Sequence, residues 1–376
     1  MTGKKIFRVL FQTALVLVLL EIGLRVILYQ QTSRGPLAIT TVLSNIKKRL
    51  HRVRPTYLYK GYYLARPDSG KEVNEAIAYE SHESNRFLYT PWIDYRSADF
   101  SGKYINVKGL VRATVPDAVI NPRSPDTVTI FFLGGSTMYG ENATDRETIP
   151  AAFVNAYRVR YPAGKSIRVV NYGICGMHSY SELMLFSHLV YSGIRPSLLV
   201  VMDGLNDLVL VNATINRLPF YYYHLRAAGR DDIDFKALAE GNDSTWALAE
   251  APAGMSPDAV RASVLDRYLS NQQNIRDLAV RNGIKPFFFI QPVPFYNYSN
   301  RINDPICEKA RNEIFEKGYP ILEKRADSAG NCTFLGNMLA KRQGYPFIDR
   351  FHYSPAMSAT IADSILTVVG RVVNGY

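Results

Sequence analysis

The chain has 376 residues, of which 47% are hydrophobic and 20% are charged, so it is long enough to bury one large core. This composition excludes an intrinsically disordered protein. The formal charge of +11 could indicate nucleic-acid binding, but the sequence has no zinc-ligand spacing, no RNP-type motif and no basic run interleaved with aromatic residues. We therefore expect no nucleic-acid partner. A membrane surface or a solvated basic face would explain the excess charge.

An apolar stretch near the N-terminus covers residues 6–29 and follows Lys4 and Lys5. As a helix rising about 1.5 Å per residue, it is long enough to cross the hydrocarbon core of a membrane. No A-x-A-like cleavage site follows, which favours an uncleaved signal anchor over a cleaved signal peptide. The sequence thus predicts a single-pass membrane protein whose main domain is extracytoplasmic, in the periplasm or outside the cell. Basic residues on both sides of the span leave this orientation open to test.

Changes of pattern along the chain divide it into three predicted regions. Residues 1–30 form the anchor, a transmembrane helix. Residues 31–125 are rich in Tyr, Arg and Pro without a long periodic pattern, so we expect an extended or loosely ordered lead-in. Residues 126–376 form the main domain, with an insertion at about 208–258.

Strand patterns alternate with helix patterns through the main domain. Short apolar runs rich in β-branched and aromatic residues predict buried strands at 127–133, 166–170, 198–202, 286–290 and 346–348. Helices are predicted at 183–191, about 260–281, about 305–325 and 355–373. Ser179 and Glu182 match a capping box before the first of these helices, and Ser354 is the predicted N-cap of the last. Such alternation predicts a parallel sheet with helices on both faces and ligands at the carboxyl ends of its strands.

The first predicted strand runs directly into Gly134-Gly135-Ser136-Thr137. Two glycines permit a tight turn, which would present the Ser136 hydroxyl and backbone N–H at the edge of the sheet. The sequence therefore makes Ser136 a candidate nucleophile. An ordinary Gly-Ser turn is the alternative.

A serine nucleophile needs a base, and Asp349-Arg350-Phe351-His352 near the C-terminus supplies a carboxylate and an imidazole three residues apart. His352 would remove the Ser136 proton, while Asp349 would hold the imidazole ring and stabilise the imidazolium. The alternative for an isolated D-x-x-H pattern is a solvated loop pair.

Two further residues that follow predicted strands are candidate donors for an oxyanion hole. Gly173 in Asn-Tyr-Gly would donate its backbone N–H, and Asn206 in Gly-Leu-Asn-Asp would donate its side-chain amide. A plain turn glycine and a turn-capping asparagine are the alternatives. The backbone N–H of Ser136 would complete the set.

Taken in order, the blocks Gly134-Gly135-Ser136-Thr137, Asn-Tyr-Gly173, Gly-Leu-Asn206-Asp207 and Asp349-Arg-Phe-His352 resemble the four sequence blocks of SGNH (GDSL-like) hydrolases. Gly-Gly-Ser-Thr departs from the Gly-Asp-Ser form and resembles the variant of membrane-anchored members. The resemblance covers roughly residues 127–373. It implies a three-layer α/β/α sandwich, flavodoxin-like, with a five-stranded parallel sheet, and no metal or organic cofactor. An α/β-hydrolase is disfavoured, because G-x-S-x-G would need glycine where Met138 stands.

This resemblance implies a serine esterase that hydrolyses O-acyl esters, including acetyl esters, on a glycan, glycolipid or lipid near the membrane. Transfer of the acyl group to a sugar hydroxyl through the same acyl-serine is one alternative. A catalytically silent carbohydrate-binding or scaffold protein is another. The three cysteines show no metal-ligand spacing. In an oxidising compartment Cys307 could pair with Cys332, which would leave Cys175 as a buried free thiol.

Overall fold

The computed structural model describes residues 60–114, 127–209, 256–299, 313–329 and 332–375. All of them belong to one compact unit that runs from Tyr57 to Tyr376. The predicted anchor at 1–30 and most of the predicted insertion at 208–258 lie outside the described residues, so both stay predictions. Cys307 also lies outside them, whereas Cys175 and Cys332 are free thiols.

The described part of the lead-in, residues 60–114, is folded, which corrects the expectation of an extended segment. It contains helices α1 (Lys60–Ala65) and α2 (Lys71–Ser84) and strands β1 (Phe87–Thr90), β2 (Asp94–Ser97), β3 (Phe100–Ser101), β4 (Asn106–Lys108) and β5 (Val111–Arg112). Strands β1 and β2 form a separate antiparallel pair, whereas β3, β4 and β5 extend the central sheet. Strands of two to four residues are too short to show an alternating pattern in the sequence.

The main domain alternates strands and helices as predicted. Its strands are β6 (Val128–Gly134), β7 (Ile167–Asn171), β8 (Leu198–Asp203), β9 (Lys285–Ile290) and β10 (Cys332–Phe334). Its helices are α3 (Ser136–Tyr139), α4 (Ile149–Arg160), α5 (Ser179–Tyr191), α6 (Leu205–Val209), α7 (Pro257–Arg281), α8 (Glu313–Ala329) and α9 (Pro355–Asn374).

The central sheet is mainly parallel, with the strand order β10-β9-β8-β6-β7-β5-β4-β3. Its first five strands are parallel, and the last three are antiparallel additions from the lead-in. The predicted strand at 346–348 is wrong, because that segment forms only an isolated bridge between Phe347 and Tyr353. Strand β10 takes the fifth parallel position instead.

Helices cover both faces of the sheet, so the described domain has three layers. Alternate residues of β6 point to opposite faces. Ile130 and Phe132 pack with apolar residues of α4 and α9, whereas Phe131 and Leu133 pack with those of α5 and α7. Strands β6 and β8 therefore read as nearly continuous apolar runs, as expected of the central strands of a parallel sheet buried on both sides.

One of the two predicted helix caps is present in the structure. Ser354 caps α9 as predicted, because its side chain accepts a hydrogen bond from the Met357 N–H. The predicted capping box of α5 is wrong. His178 occupies the N-cap position, Ser179 is already helical, and Glu182 is fully buried.

Among the described residues, α9 is the one helix that is long and apolar enough to cross a membrane by length and composition. Half of its apolar window is buried inside the fold. Its buried face packs against α4 and β6, so we interpret α9 as a core helix of the domain.

Candidate active site

The candidate nucleophile lies on a tight turn between β6 and α3. A side chain at Gly134 would collide with the Met202 carbonyl oxygen, and one at Gly135 would collide with the Asn206 amide nitrogen. Glycine is therefore required at 134 by the close approach of β8, whereas a side chain at 135 would have to displace the Asn206 amide. Ser136 is the first residue of α3, where a backbone N–H has no partner within the helix. No described residue accepts a hydrogen bond from the backbone N–H of Ser136.

Ser136, His352 and Asp349 form a continuous hydrogen-bonded chain. The Ser136 hydroxyl lies 2.8 Å from His352 Nε2, and His352 Nδ1 lies 2.7 Å from Asp349 Oδ2. When the ring proton is on Nδ1, it is donated to Asp349, and Nε2 is the acceptor for the serine hydroxyl. The structure thus brings the three predicted residues together in the arrangement that general-base activation of a serine requires.

The Asp349 carboxylate is buried and fully engaged. Oδ1 accepts hydrogen bonds from the backbone N–H groups of Phe351 and His352, both at 2.9 Å, and Oδ2 accepts from Asn142 Nδ2 at 2.6 Å. Burial alone would raise the pKa of Asp349, but the His352 charge and these hydrogen bonds hold it below its ordinary value. The carboxylate is therefore ionised beside the histidine.

A buried glutamine joins the two ends of the site. Gln291, which directly follows β9, accepts a hydrogen bond from Thr137 Oγ1 at 3.2 Å and lies 3.4 Å from the Tyr353 hydroxyl. Tyr353 in turn donates to the Pro292 carbonyl at 2.6 Å. The sequence analysis missed Gln291, although its position at the carboxyl end of a predicted strand was the available signal.

Asn206 lies beside the nucleophile turn, as its predicted role requires. Its Nδ2 donates to the Met177 carbonyl at 2.6 Å and lies against Gly135. An amide nitrogen carries two hydrogens, so one N–H is left for another acceptor. The candidate role of Asn206 as an oxyanion donor therefore fits this geometry.

Gly173 does not fit its predicted role. Its backbone N–H donates to Asn171 Oδ1 at 2.8 Å, so it is not available to a substrate oxygen. Gly173 is glycine for another reason, because a side chain would collide with the backbone at Tyr139. Close packing of the strand end on α3 explains this residue.

Gly176 is the better candidate donor on the same loop. It has a φ of 76°, a left-handed conformation that favours glycine, and it directly precedes Met177, whose carbonyl receives the Asn206 amide. No described residue accepts a hydrogen bond from its N–H. The sequence signal was a second glycine three residues after Gly173, which the sequence analysis passed over.

The segment after the nucleophile supplies two further groups that the sequence analysis missed. Asn142, besides binding Asp349, receives support from the lead-in. Its N–H donates to Ser81 Oγ at 3.0 Å, and its carbonyl accepts from Arg66 Nη2 at 3.0 Å. The backbone of Asn142 is left-handed, with a φ of 65°. The folded lead-in therefore positions a residue that contacts the triad carboxylate.

Glu141 is the second missed group, and it lies on the reactive side of the histidine. Its Oε2 is 3.2 Å from His352 Nε2, the same nitrogen that contacts Ser136. Burial alone would lower the pKa of His352, but the charges of Asp349 and Glu141, with their hydrogen bonds, raise it well above its ordinary value. We therefore expect the fraction of His352 in its neutral form, which can act as the base, to increase as pH rises.

A cavity of about 540 Å³ opens beside these groups. Its walls come from three segments, namely the C-terminal part of α2 with the residue that follows it, the segment after Ser136, and the turn that carries Asp349 and His352. The lining includes Ser81, His82, Asn85, Glu141, Asn142, Asp349, Arg350, Phe351 and His352. The lining combines these polar groups with apolar surface, to which Ala78 and Phe351 contribute. Within the described ranges, no group of three or more His, Cys, Asp or Glu residues is arranged to hold a metal ion.

No protein-family model and no curated protein sequence matches the chain. Among solved structures, the chain is similar to an acetylxylan esterase from Geobacillus stearothermophilus, with 20% identity, a TM-score of 0.37, and coverage of 65% of this chain and 94% of that one. It is also similar to a putative lipolytic protein of the G-D-S-L family from Desulfitobacterium hafniense, with 11% identity, a TM-score of 0.37, and coverage of 64% and 99%. These similarities are too distant to assign an activity, so function is inferred from the site itself.

Proposed function

We propose that the protein is a serine esterase of the SGNH type that cleaves O-acyl esters through an acyl-serine intermediate. One observation carries the proposal, namely the hydrogen-bonded chain from Ser136 through His352 to Asp349 beside a cavity. A solvated loop pair would not bury its aspartate or place its histidine against a serine hydroxyl. The same observation disfavours a silent binding protein.

In the proposed reaction, His352 Nε2 takes the hydroxyl proton as Ser136 Oγ attacks the acyl carbon. The negative charge that develops on the acyl oxygen is stabilised by the N–H groups of Ser136 and Gly176 and by the Asn206 amide. The bond to the alcohol oxygen then breaks, and His352 returns the proton to that oxygen. Water attacks the acyl-serine by the same route, which releases the acid and restores Ser136.

The proposed substrate is an O-acylated glycan, glycolipid or lipid, with acetyl as the leading acyl group. The carboxylate and amide groups in the lining of the cavity favour a hydroxylated alcohol half over a purely aliphatic one. An acyltransferase would use the same acyl-serine but pass the acyl group to a sugar hydroxyl instead of water. Product analysis separates the two, because only hydrolysis releases free acid in the absence of an acceptor.

Labelling with a fluorophosphonate tests the proposed nucleophile. We expect the parent protein to be labelled and to hydrolyse 4-nitrophenyl acetate, and Ser136→Ala to lose the label and at least a thousandfold in turnover. Ser364→Ala, which changes a serine on α9, is the matched control and should retain both. Turnover of Ser136→Ala equal to that of the parent would exclude the serine mechanism.

We also propose that residues 1–30 anchor the protein in a membrane with the described domain on the extracytoplasmic side. Support comes from the sequence, because the apolar stretch at 6–29 is long enough to span. Removing residues 1–30 should give protein that is extracted without detergent. Continued sedimentation of the truncated protein with membranes after a high-salt wash would mean that the chain has a second anchor.

A further inference from the structure

Glu141 faces the one nitrogen through which every proton of the proposed reaction passes. Its backbone N–H donates to the Ser136 carbonyl at 3.0 Å, which ties it to the nucleophile turn. Its carboxylate lies 3.2 Å from His352 Nε2. Any alcohol oxygen that receives a proton from Nε2 must therefore lie within a few ångströms of a carboxylate.

This carboxylate has unused capacity to accept hydrogen bonds. A carboxylate offers about four lone-pair positions. Within the described ranges, the Glu141 side chain is approached only by His352 and by the buried thiol of Cys175. It retains 24% exposure and lines the cavity. A ligand in the cavity can therefore donate to it.

A second acceptor in the same cavity is also unsatisfied. The Asn85 side-chain oxygen is buried, and no described residue donates a hydrogen bond to it. Asn85 lies at the end of α2 and lines the cavity with Glu141. Two unfilled acceptors in the cavity that contains the proton-transferring nitrogen call for a ligand that brings several donors, because an acceptor left unpaired by a bound ligand costs free energy.

We propose that Glu141 selects the alcohol half of the substrate, by accepting a hydrogen bond from a hydroxyl group on the carbon adjacent to the one that bears the ester oxygen. The preferred leaving group is then a polyhydroxy alcohol, such as a sugar residue, and Asn85 accepts from a more distant hydroxyl. This inference rests on the proposed esterase function and names the substrate class for the same site. A simple alkyl ester would bury the Glu141 carboxylate without a donor.

A cationic alcohol such as choline is the competing occupant, because a carboxylate also attracts a cation. The cavity favours hydroxyl donors for two reasons. Arg350 contributes a positive charge to the same lining, and Phe351 is its one Phe, Tyr or Trp side chain, so the aromatic cage that suits a quaternary ammonium is missing from this lining. The uncharged Asn85 oxygen also suits a hydroxyl.

A pair of acetate esters that differ by one hydroxyl tests the proposal. Hydrolysis of trans-2-hydroxycyclohexyl acetate is compared with that of cyclohexyl acetate, for the parent, Glu141→Gln and Glu141→Ala. We expect the parent to prefer the hydroxylated ester by roughly ten- to a hundredfold in kcat/KM, the range for a hydrogen bond to a charged group. Glu141→Ala should remove most of the preference, and Glu141→Gln should leave an intermediate value.

Controls separate this proposal from the esterase function and from folding. Glu72→Gln removes an exposed carboxylate of α2 and should keep the parent preference. Hydrolysis of 4-nitrophenyl acetate and fluorophosphonate labelling of the Glu141 variants report a folded, active triad. If the parent itself gives neither signal, the esterase function fails. If both signals persist and Glu141→Ala keeps the full preference for the hydroxylated ester, the role of Glu141 is overturned. It is also overturned if acetylcholine is the best substrate.

The pH profile gives a readout that a purely structural role of Glu141 would not change. His352 faces Asp349 on its own turn and Glu141 on the nucleophile segment, and the same cavity is lined by His82 of α2 and by Arg350. Removing the Glu141 charge should lower the pKa of His352. The acid limb of kcat/KM on 4-nitrophenyl acetate should therefore move to lower pH in Glu141→Gln, and an unmoved limb would count against the contact.

Discussion

Asp349 and Asp203 are both buried carboxyl groups at the carboxyl-terminal side of the sheet, and their partners differ. Asp349 is adjacent to the His352 ring and accepts hydrogen bonds from two backbone N–H groups and an amide. Its pKa is low because, against the effect of burial, these partners stabilise the ionised form. A carboxylate placed in this way can serve a reaction that develops positive charge on the histidine.

Asp203 has a second carboxyl group as its neighbour instead of a cation. Tyr268 and Gln272 donate to its Oδ1, and the buried carboxyl group of Glu182 is a neighbour that affects the pKa of Asp203. Burial, with the nearby charge of Asp207, raises the pKa of Asp203 to about 7. Burial also raises the pKa of Glu182 well above its ordinary value, so Glu182 carries a proton that it can donate to Asp203.

The comparison teaches that burial alone does not decide the charge of a carboxyl group in this protein. Donors and a titratable base keep Asp349 ionised, whereas two carboxyl groups without a basic neighbour share a proton. The first arrangement suits catalysis, and the second fixes the packing of α5 against the end of β8. Three changes test this contrast, taken here from the largest expected effect to the smallest.

Asp349→Asn should have the largest effect. Asparagine keeps the size of the side chain but lacks the charge that stabilises the imidazolium, and an amide nitrogen in the position of Oδ2 cannot accept the hydrogen bond from Nδ1. We expect turnover of 4-nitrophenyl acetate to fall by about 10⁴-fold. Circular dichroism should show an intact fold, since the asparagine oxygen can still accept from the backbone N–H groups.

Asp363→Asn is the matched control, because Asp363 is an exposed carboxylate on α9. It should leave turnover at the parent value. If Asp349→Asn also retained turnover within a few-fold of the parent, Asp349 would be a structural carboxylate like Asp203, and the contrast between the two sites would be lost.

The parallel sheet and the triad could be predicted from sequence because their signals are local. Strands β6 to β9 each contain several apolar residues, and the polar blocks at Ser136, Gly173 and Asn206 each follow one of these strands. The carboxyl ends of parallel strands meet at one edge, so the loops that carry Ser136 and Asn206 are brought together by topology. Asp349 and His352 follow no strand of the sheet, so they were predicted from their own spacing and not from the strands.

Other features depend on contacts that no local pattern reveals. Glu141 and Asn142 reach the triad because Gly140 and Asn142 adopt left-handed conformations, with φ values of 81° and 65°. Arg112 in the lead-in is fully buried and pairs with Asp145, which an arginine in a Tyr-, Arg- and Pro-rich segment does not indicate. The choice of Gly176 over Gly173 as candidate oxyanion donor depends on which backbone N–H already has an acceptor. The sequence alone does not indicate this.

Asn206→Ala should have the second largest effect. Asn206 and Asp207 are consecutive but lie in different environments. The Asn206 amide lies against the nucleophile turn, whereas the Asp207 carboxylate accepts hydrogen bonds from Ser179. If Asn206 donates to the oxyanion, kcat should fall roughly a hundred- to a thousandfold. KM should change little, since the negative charge exists only in the tetrahedral state.

Fluorophosphonate labelling should slow in Asn206→Ala, because the phosphoryl oxygen occupies the same hole. Asn206→Asp should be at least as harmful, since it brings negative charge towards the oxyanion. A lower melting temperature with kcat per folded molecule near the parent value would instead assign Asn206 to holding the Met177 carbonyl.

Glu182→Gln should have the smallest effect, and it should depend on pH. In the folded protein the Glu182–Asp203 pair keeps protons that the unfolded chain loses near its ordinary pKa values of about 4. The folded state then binds more protons, so the pair's contribution to stability falls as pH rises from about 4 through about 7. Glutamine can donate its amide hydrogen to an ionised Asp203 and carries no proton that must be lost.

We therefore expect the melting temperatures of the parent and Glu182→Gln to diverge as pH rises from 5 to 8, with the variant higher by roughly 2–4 °C at pH 8, the shift for about 1 kcal/mol. The pKa of His352 is also raised, so its contribution to the parent's stability falls as pH rises over part of this window. Because His352 is present in both proteins, the difference between their melting temperatures isolates the carboxyl pair. A difference that is the same at pH 5 and pH 8 would mean that Glu182 and Asp203 do not retain their proton, and that the two carboxyl sites differ in partners without differing in charge.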